Sequence, residues 1–208
     1  PLPPPPPGDG TWFDAQAKGA PLILCLQNFI KLIPAFDATL ARIAAETGAR
    51  IGFFTRNPPL MRVFRARIEA AFAARGADPA KHLVFLPVQN HADYLAGIAR
   101  SPLVLDSPWF SGGGTSLDAF SVGTPVLAWE GAMARGRQTS AMLRLLEIPE
   151  LIATDEDDYI ARAVALIRES ARRENLRGTI RTRQTRLFDD DAAVRGFADF
   201  LRNAPTSR

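Results

Sequence analysis

The residues best suited to chemistry lie in one stretch, SPWFSGGGTSLDAFSVGTPVL, at 107–127. Gly112, Gly113 and Gly114 run directly into Thr115 and Ser116, and Asp118 follows. A glycine-rich turn that opens a helix presents unpaired N–H groups and the positive end of the helix dipole. Absent side chains let an anion approach the backbone, so phosphate is the ligand such a turn suits. Thr115 and Ser116 add hydroxyl donors, and Asp118, one turn on, can accept hydrogen bonds from ribose hydroxyls. The same residues also fit a plainer description: a tight strand-to-helix turn with Thr115 as N-cap and Asp118 favourable to the dipole. The spacing matches neither G-x-x-x-x-G-K-[ST] nor G-x-G-x-x-G.

Other candidates are scattered. Lys31 follows the first apolar run, where its ammonium can reach the mouth of a sheet, and the only other lysines are Lys18 and Lys81. His82 and His91 are too far apart, and lack partners, for a zinc site. TDEDDY at 154–159 lacks the glycine and distal glutamate of a calcium loop; Thr154 as N-cap with acids in the first turn explains it, and FDDDAA at 188–193 reads the same way. Cys25 sits in an apolar run as a buried structural thiol, and a single cysteine excludes an internal disulfide.

These residues need a scaffold, and the pattern supplies one. Apolar runs at 21–27, 50–55, 82–87, 101–106, 124–129 and 151–153 read as buried strands. Between them, 35–49, 58–75, 91–100, 115–122 and 135–146 read as helices, and helices dominate to the end. Continuous apolar strands alternating with helices predict an α/β fold: a doubly wound, Rossmann-like parallel sheet covered on both faces. Ligands of such sheets bind at the carboxyl ends of the strands, where the glycine turn falls. The expected organisation is a proline-rich linker or lobe boundary over 1–20, a core over 21–153, and C-terminal helices over 154–208 packing on it.

Composition narrows the class. The chain has 208 residues, 47% hydrophobic and 23% charged, with net charge +3. No apolar run approaches the ~20 residues of a membrane span, and no basic-then-apolar leader opens the chain. Acids alternate with the arginines of ARRENLRGTIRTRQTR, 171–186, as on a solvated helix face. Without aromatic-basic interleaving, nucleic acid is not an expected partner.

Four segments, in order, carry a resemblance: LQNFIKLIPAF, HLVFLPVQNHADYL, LVLDSPWFSGGGTSLDAFSVGTPVLAWEG and LRGTIRTRQTRLFDDDAAVRGFADFL. Together they resemble the O-linked N-acetylglucosamine transferase family. That resemblance implies the C-terminal lobe of a two-lobed GT-B glycosyltransferase, which holds the UDP of a sugar donor such as UDP-GlcNAc. It implies that Lys31 contacts the diphosphate and stabilises the leaving group, with Asn28 near phosphate and sugar. Gln89 stands where a backbone group pairs with uracil, and His91 beside the base. Gly112, Gly113, Gly114 and Thr115 form the phosphate-binding helix terminus, and Asp118 binds ribose. The resemblance further implies a protein acceptor and a base in an N-terminal lobe outside this sequence, with tetratricopeptide repeats beyond. No metal ligand set for the diphosphate is evident, so no metal or other cofactor is expected, and the single cysteine fits a reducing, cytoplasmic location. The chain departs from the family at Gly113, where a histidine is usual, and at Gly114, where a threonine is. Those departures open a second expectation, a nucleotide-binding or interaction module that no longer transfers sugar.

Overall fold

In a computed structural model of the chain, residues 8–55, 57–188 and 191–204 are described. The strands are β1 (Leu22–Leu24), β2 (Arg50–Phe54), β3 (Leu83–Leu86), β4 (Val104–Leu105), β5 (Val126–Trp129) and β6 (Ile152–Ala153). They form one parallel sheet in the order β3-β2-β1-β4-β5-β6. The order runs outward from β1 to β3, then reverses through β4. The carboxyl ends of β1 and β4 therefore flank the topological switch point, where a crevice opens between loops that diverge to opposite sides.

Helices cover both faces. They are α1 (Thr11–Ala17), α2 (Pro34–Thr47), α3 (Pro58–Ala73), α4 (Pro79–His82), α5 (His91–Arg100), α6 (Gly114–Ser121), α7 (Gln138–Leu145), α8 (Glu156–Arg168), α9 (Ser170–Arg183) and α10 (Asp191–Asn203). One layer packs α2 between α3 and α8; the other joins α1 to α5, α5 to α6, and α6 to α9. Phe36, Leu40 and Ile43 on α2 and Tyr159, Ala163 and Leu166 on α8 are almost wholly buried, as 3.6-residue periodicity requires of a sheet-covering helix. Cys25 is fully buried in the same core.

Four details differ from the expectations. The segment from Thr11 onward belongs to the packed domain: Phe13 is buried and the Trp12 indole donates to Asp93 O at 3.2 Å. A Cβ at Gly97 would meet that indole at 2.3 Å, so a glycine on α5 makes the seat for α1. The proline run itself falls outside the described residues. Asp155, rather than Thr154, caps α8 and accepts from Asp158 N at 2.9 Å; two of the acids of FDDDAA lie outside the described residues. The glycine-loop helix begins at Gly114 with Gly113 as a cap that offers no side chain, which places Thr115 inside the first turn rather than at the N-cap. Finally, Arg177 on α9 is buried; it donates to Ser101 O and to Thr124 Oγ1, the latter at 3.4 Å.

Candidate functional site

The loop after β4 is built around Asp106. Tyr159, fully buried on α8, donates its hydroxyl to Asp106 O at 2.9 Å and fixes the strand end. The Asp106 carboxylate then collects donors from the loop: Gly112 N at 2.8 Å and Gln27 Nε2 at 3.1 Å on one oxygen, Ser111 Oγ at 2.5 Å on the other. Burial pushes this carboxyl above the usual range, while Ser111 and Gly112 pull against that rise. Thr139, arriving from α7, donates its N–H to Ser111 Oγ at 2.9 Å and shares a 2.8 Å bond with Ser116 Oγ. Ser111, Gly112 and Ser116 are thus each tied to a buried polar partner, which rigidifies this part of the turn.

What that scaffold presents is the start of α6. The N–H groups of Gly113, Gly114 and Thr115 have no intrahelical acceptor, because the ladder begins with Ser116 and Leu117 donating to Gly113 O. The three glycines are not equivalent. At Gly112 a Cβ would meet Ser116 Oγ at 2.3 Å and Gln27 Nε2 at 2.6 Å, whereas at Gly114 nothing lies within 4 Å.

The loop after β1 faces it. Asn28 Oδ1 accepts from Ile30 N at 3.2 Å and caps a short 3-10 turn, Phe29–Lys31. Arg67 from α3 clamps that turn from below, donating to Leu32 O at 2.7 Å and to both oxygens of buried Asp37 at 2.7 and 3.1 Å. Burial raises the Asp37 carboxyl and Arg67 opposes that rise. Lys31, at the end of the turn, reaches across the crevice: its Nζ stands 4.1 Å from the centroid of the Phe110 ring, in the glycine loop. A cation over an aromatic face is held without its charge being cancelled.

A third wall comes from β3 and α5. Asn90 caps α5, accepting from Asp93 N at 2.9 Å, and so places His91 in its first turn. The His91 and Tyr94 rings stack at 6.4 Å and 24°. Tyr94 hydrogen-bonds Asp118, and His91 Nε2 is 3.9 Å from Asp118 Oδ1. The Gln89 side chain folds back onto Pro87 O at 3.2 Å, leaving its backbone at the rim.

Together these walls enclose a cleft of about 390 Å³ at the switch point, within the size range of small-molecule sites. Asn28, Lys31, Gln89, His91, Thr115 and Asp118 all line it, although they come from three separate loops. Gly112 is buried behind the cleft and Gly113 caps the helix, while Gly114 is exposed at its tip. Sequence reasoning missed Gln27, Asp106, Tyr94 and Thr139. Asp106 was signalled by a lone carboxylate ending an apolar run; Thr139 carries no local signal at all. Chemically, the cleft joins a helix N-terminus, the Thr115 hydroxyl and the Lys31 ammonium to a second group, the Asp118 carboxylate beside two stacked rings. The first set suits an anion; the second suits a planar group bearing hydroxyls.

A model of glycosyl transferase family 41 matches residues 27–195. Over 130 residues the chain is 30% identical to the UDP-N-acetylglucosamine--peptide N-acetylglucosaminyltransferase of Caenorhabditis elegans, a match covering 61% of this chain and 11% of the relative. A mutant O-GlcNAc transferase from Thermobaculum terrenum superposes with a TM-score of 0.77 at 28% identity, covering 98% of this chain and 40% of that one. Sucrose-phosphate synthase from Thermosynechococcus elongatus matches with a TM-score of 0.66 at 18% identity over 95% of this chain and 48% of that one, a likeness of fold. The chain therefore spans less than half the length of these relatives.

Proposed function

Because the chain belongs to glycosyl transferase family 41, we propose that it is the donor-binding lobe of a glycosyltransferase that takes a UDP-sugar such as UDP-GlcNAc. The acceptor in this reading is a serine or threonine hydroxyl of a protein. The α/β architecture is that of a Rossmann-like GT-B lobe, as in the transferase and synthase structures that superpose on it. One observation carries the reading: Lys31 and Thr115, from the loop after β1 and the first turn of α6, line the same switch-point cleft as His91, Tyr94 and Asp118, which are grouped together. A nucleoside diphosphate pairs the two matching chemistries, an anion and a hydroxyl-bearing ribose with its planar base.

In this proposal the lobe acts by position and electrostatics. The α6 N-terminus and Lys31 offset charge that grows on the diphosphate as the sugar departs. With that charge met by N–H groups and an ammonium, the proposal requires no metal. Base catalysis and acceptor binding fall to a companion lobe, and acceptor selection to tetratricopeptide repeats, outside these residues. Action in the cytoplasm is part of the same proposal.

Calorimetric titration with UDP and UDP-GlcNAc tests it: saturable heat is expected from both. A chain that gives no heat with millimolar UDP is not a donor lobe. The glycines at 113 and 114 favour a second reading, a nucleotide-binding module without transfer. In that case UDP binds, yet the full-length polypeptide releases no UDP from UDP-GlcNAc in the presence of protein acceptors.

A further inference from the structure

We propose that Gln27 is a positioning residue that aims the Thr115 hydroxyl proton into the cleft; this rests on the donor-site reading above. Gln27 lies at the end of the β1 run, is 8% exposed, and lines the cleft at its floor. Its Nε2 carries two protons and spends both: one on Asp106 Oδ1 at 3.1 Å, the other on Thr115 Oγ1 at 3.3 Å. The buried Asp106 carboxylate fixes the sense of this amide, since turning it over sets oxygen against oxygen. Glycine at 112 admits it, because a Cβ there would stand 2.6 Å from Gln27 Nε2.

The consequence is for Thr115. A hydroxyl has one proton and two lone pairs, and it rotates to suit its partners. With a lone pair held by Gln27, the proton must point elsewhere, and among the described residues no acceptor takes it. The neighbouring hydroxyl behaves differently: Ser116 Oγ is buried and bonded to Thr139 Oγ1 at 2.8 Å. Thr115 is therefore set as a donor facing the cleft, and the phosphate oxygens of UDP offer acceptors to such a group. The orientation exists before ligand arrives, so binding does not have to select it. Gln27 itself need touch no phosphate.

The test is a double-mutant cycle read by UDP and uridine titration. Gln27→Met removes both N–H donors at similar volume and should weaken UDP about tenfold while leaving uridine unchanged. In a Thr115→Val background, which has no hydroxyl to orient, the same substitution should cost nothing further. In Thr115→Ser, which keeps the hydroxyl, the tenfold loss should return. Equal losses in all backgrounds, or equal losses for UDP and uridine, would mean a structural role only and overturn the proposal. Undiminished UDP binding by Gln27→Met overturns it too, with the donor site intact. If the unmutated chain fails to bind UDP, the donor-site reading falls and this proposal with it.

Discussion

His91 Nε2 stands 3.9 Å from Asp118 Oδ1, linking the first turn of α5 to the helix that opens at the glycine loop. Burial is the largest influence on the Asp118 carboxyl and raises it above its ordinary value; His91 and Tyr94 pull it back only in part. The sign for stability follows. A carboxyl raised in the folded state favours folding when protonated, so its contribution is full below the unfolded value of about 4 and is lost as pH climbs through the folded value. Asp118→Asn should match the unmutated chain in melting temperature near pH 4 and exceed it by up to about 2 °C at neutral pH. Thermal unfolding across that range checks it. A lower melting temperature at neutral pH reverses the sign, because it makes the ionised carboxylate a stabilising group. The same substitution should weaken UDP, so ligand affinity and apo stability move in opposite directions.

The glycine triplet should divide by position. Gly112→Ala pushes a methyl into Ser116 Oγ, Gln27 Nε2 and Thr115 Oγ1, at 2.3, 2.6 and 2.8 Å. Such overpacking costs about 1–3 kcal/mol, which urea unfolding will show. Gly114 faces open space, so Gly114→Ala should stabilise by about 0.4–1 kcal/mol through the unfolded chain. Gly114→Thr should also fold, and should tighten UDP several-fold by adding a donor at the helix tip. Destabilisation by Gly114→Ala would contradict the open space on which this contrast rests.

How much of this was legible in the sequence varies by residue, for physical reasons. All six strands were, because a parallel sheet covered on both faces needs unbroken apolar runs; their order, and with it the switch-point crevice, appears only in the fold. The lining residues were found in two ways: Lys31 because it follows a strand run, Thr115 and Asp118 because they follow the glycine turn that opens a helix. Helix α1 was not: seven residues after a proline-rich start carry too few turns for a periodic signal, and its Trp12 seat depends on a glycine far along the chain. Arg177 was read with its neighbours as solvated because charge patterning cannot show that one arginine turns inward. Its two acceptors, Ser101 O and Thr124 Oγ1, lie more than fifty residues away. The Asp106 network was illegible for the same reason, since Thr139 meets it only in three dimensions.

Arg177 gives a prediction free of the site. Its guanidinium satisfies the Ser101 carbonyl and the Thr124 hydroxyl where the α5–β4 and α6–β5 connections meet under α9. Arg177→Met keeps the packed stem and removes the donors, leaving Ser101 O without this partner in a buried place. The expected cost is about 1–3 kcal/mol in chemical unfolding, with UDP affinity unchanged. A loss of UDP affinity at unchanged stability would tie α9 to the cleft, against its place on the far side of α6.

Lys31 and Asp118 provide the sharpest division, because the proposed ligand has two ends. Lys31 Nζ is held 4.1 Å over the Phe110 ring at the anionic end, so Lys31→Ala removes a charge-assisted contact to phosphate. UDP should weaken about ten- to a hundredfold, uridine hardly at all, and the salt dependence of UDP binding should flatten. Asp118 serves the ribose end, so Asp118→Ala should weaken UDP and uridine alike, by about the same range. Lys31→Arg, which keeps the charge but not the geometry, should fall between. The titrations are read as a pair. If both ligands respond equally to Lys31→Ala, the ammonium is not at the phosphates. If UDP binding survives both alanine substitutions undiminished, the residue assignment is wrong although the fold stands.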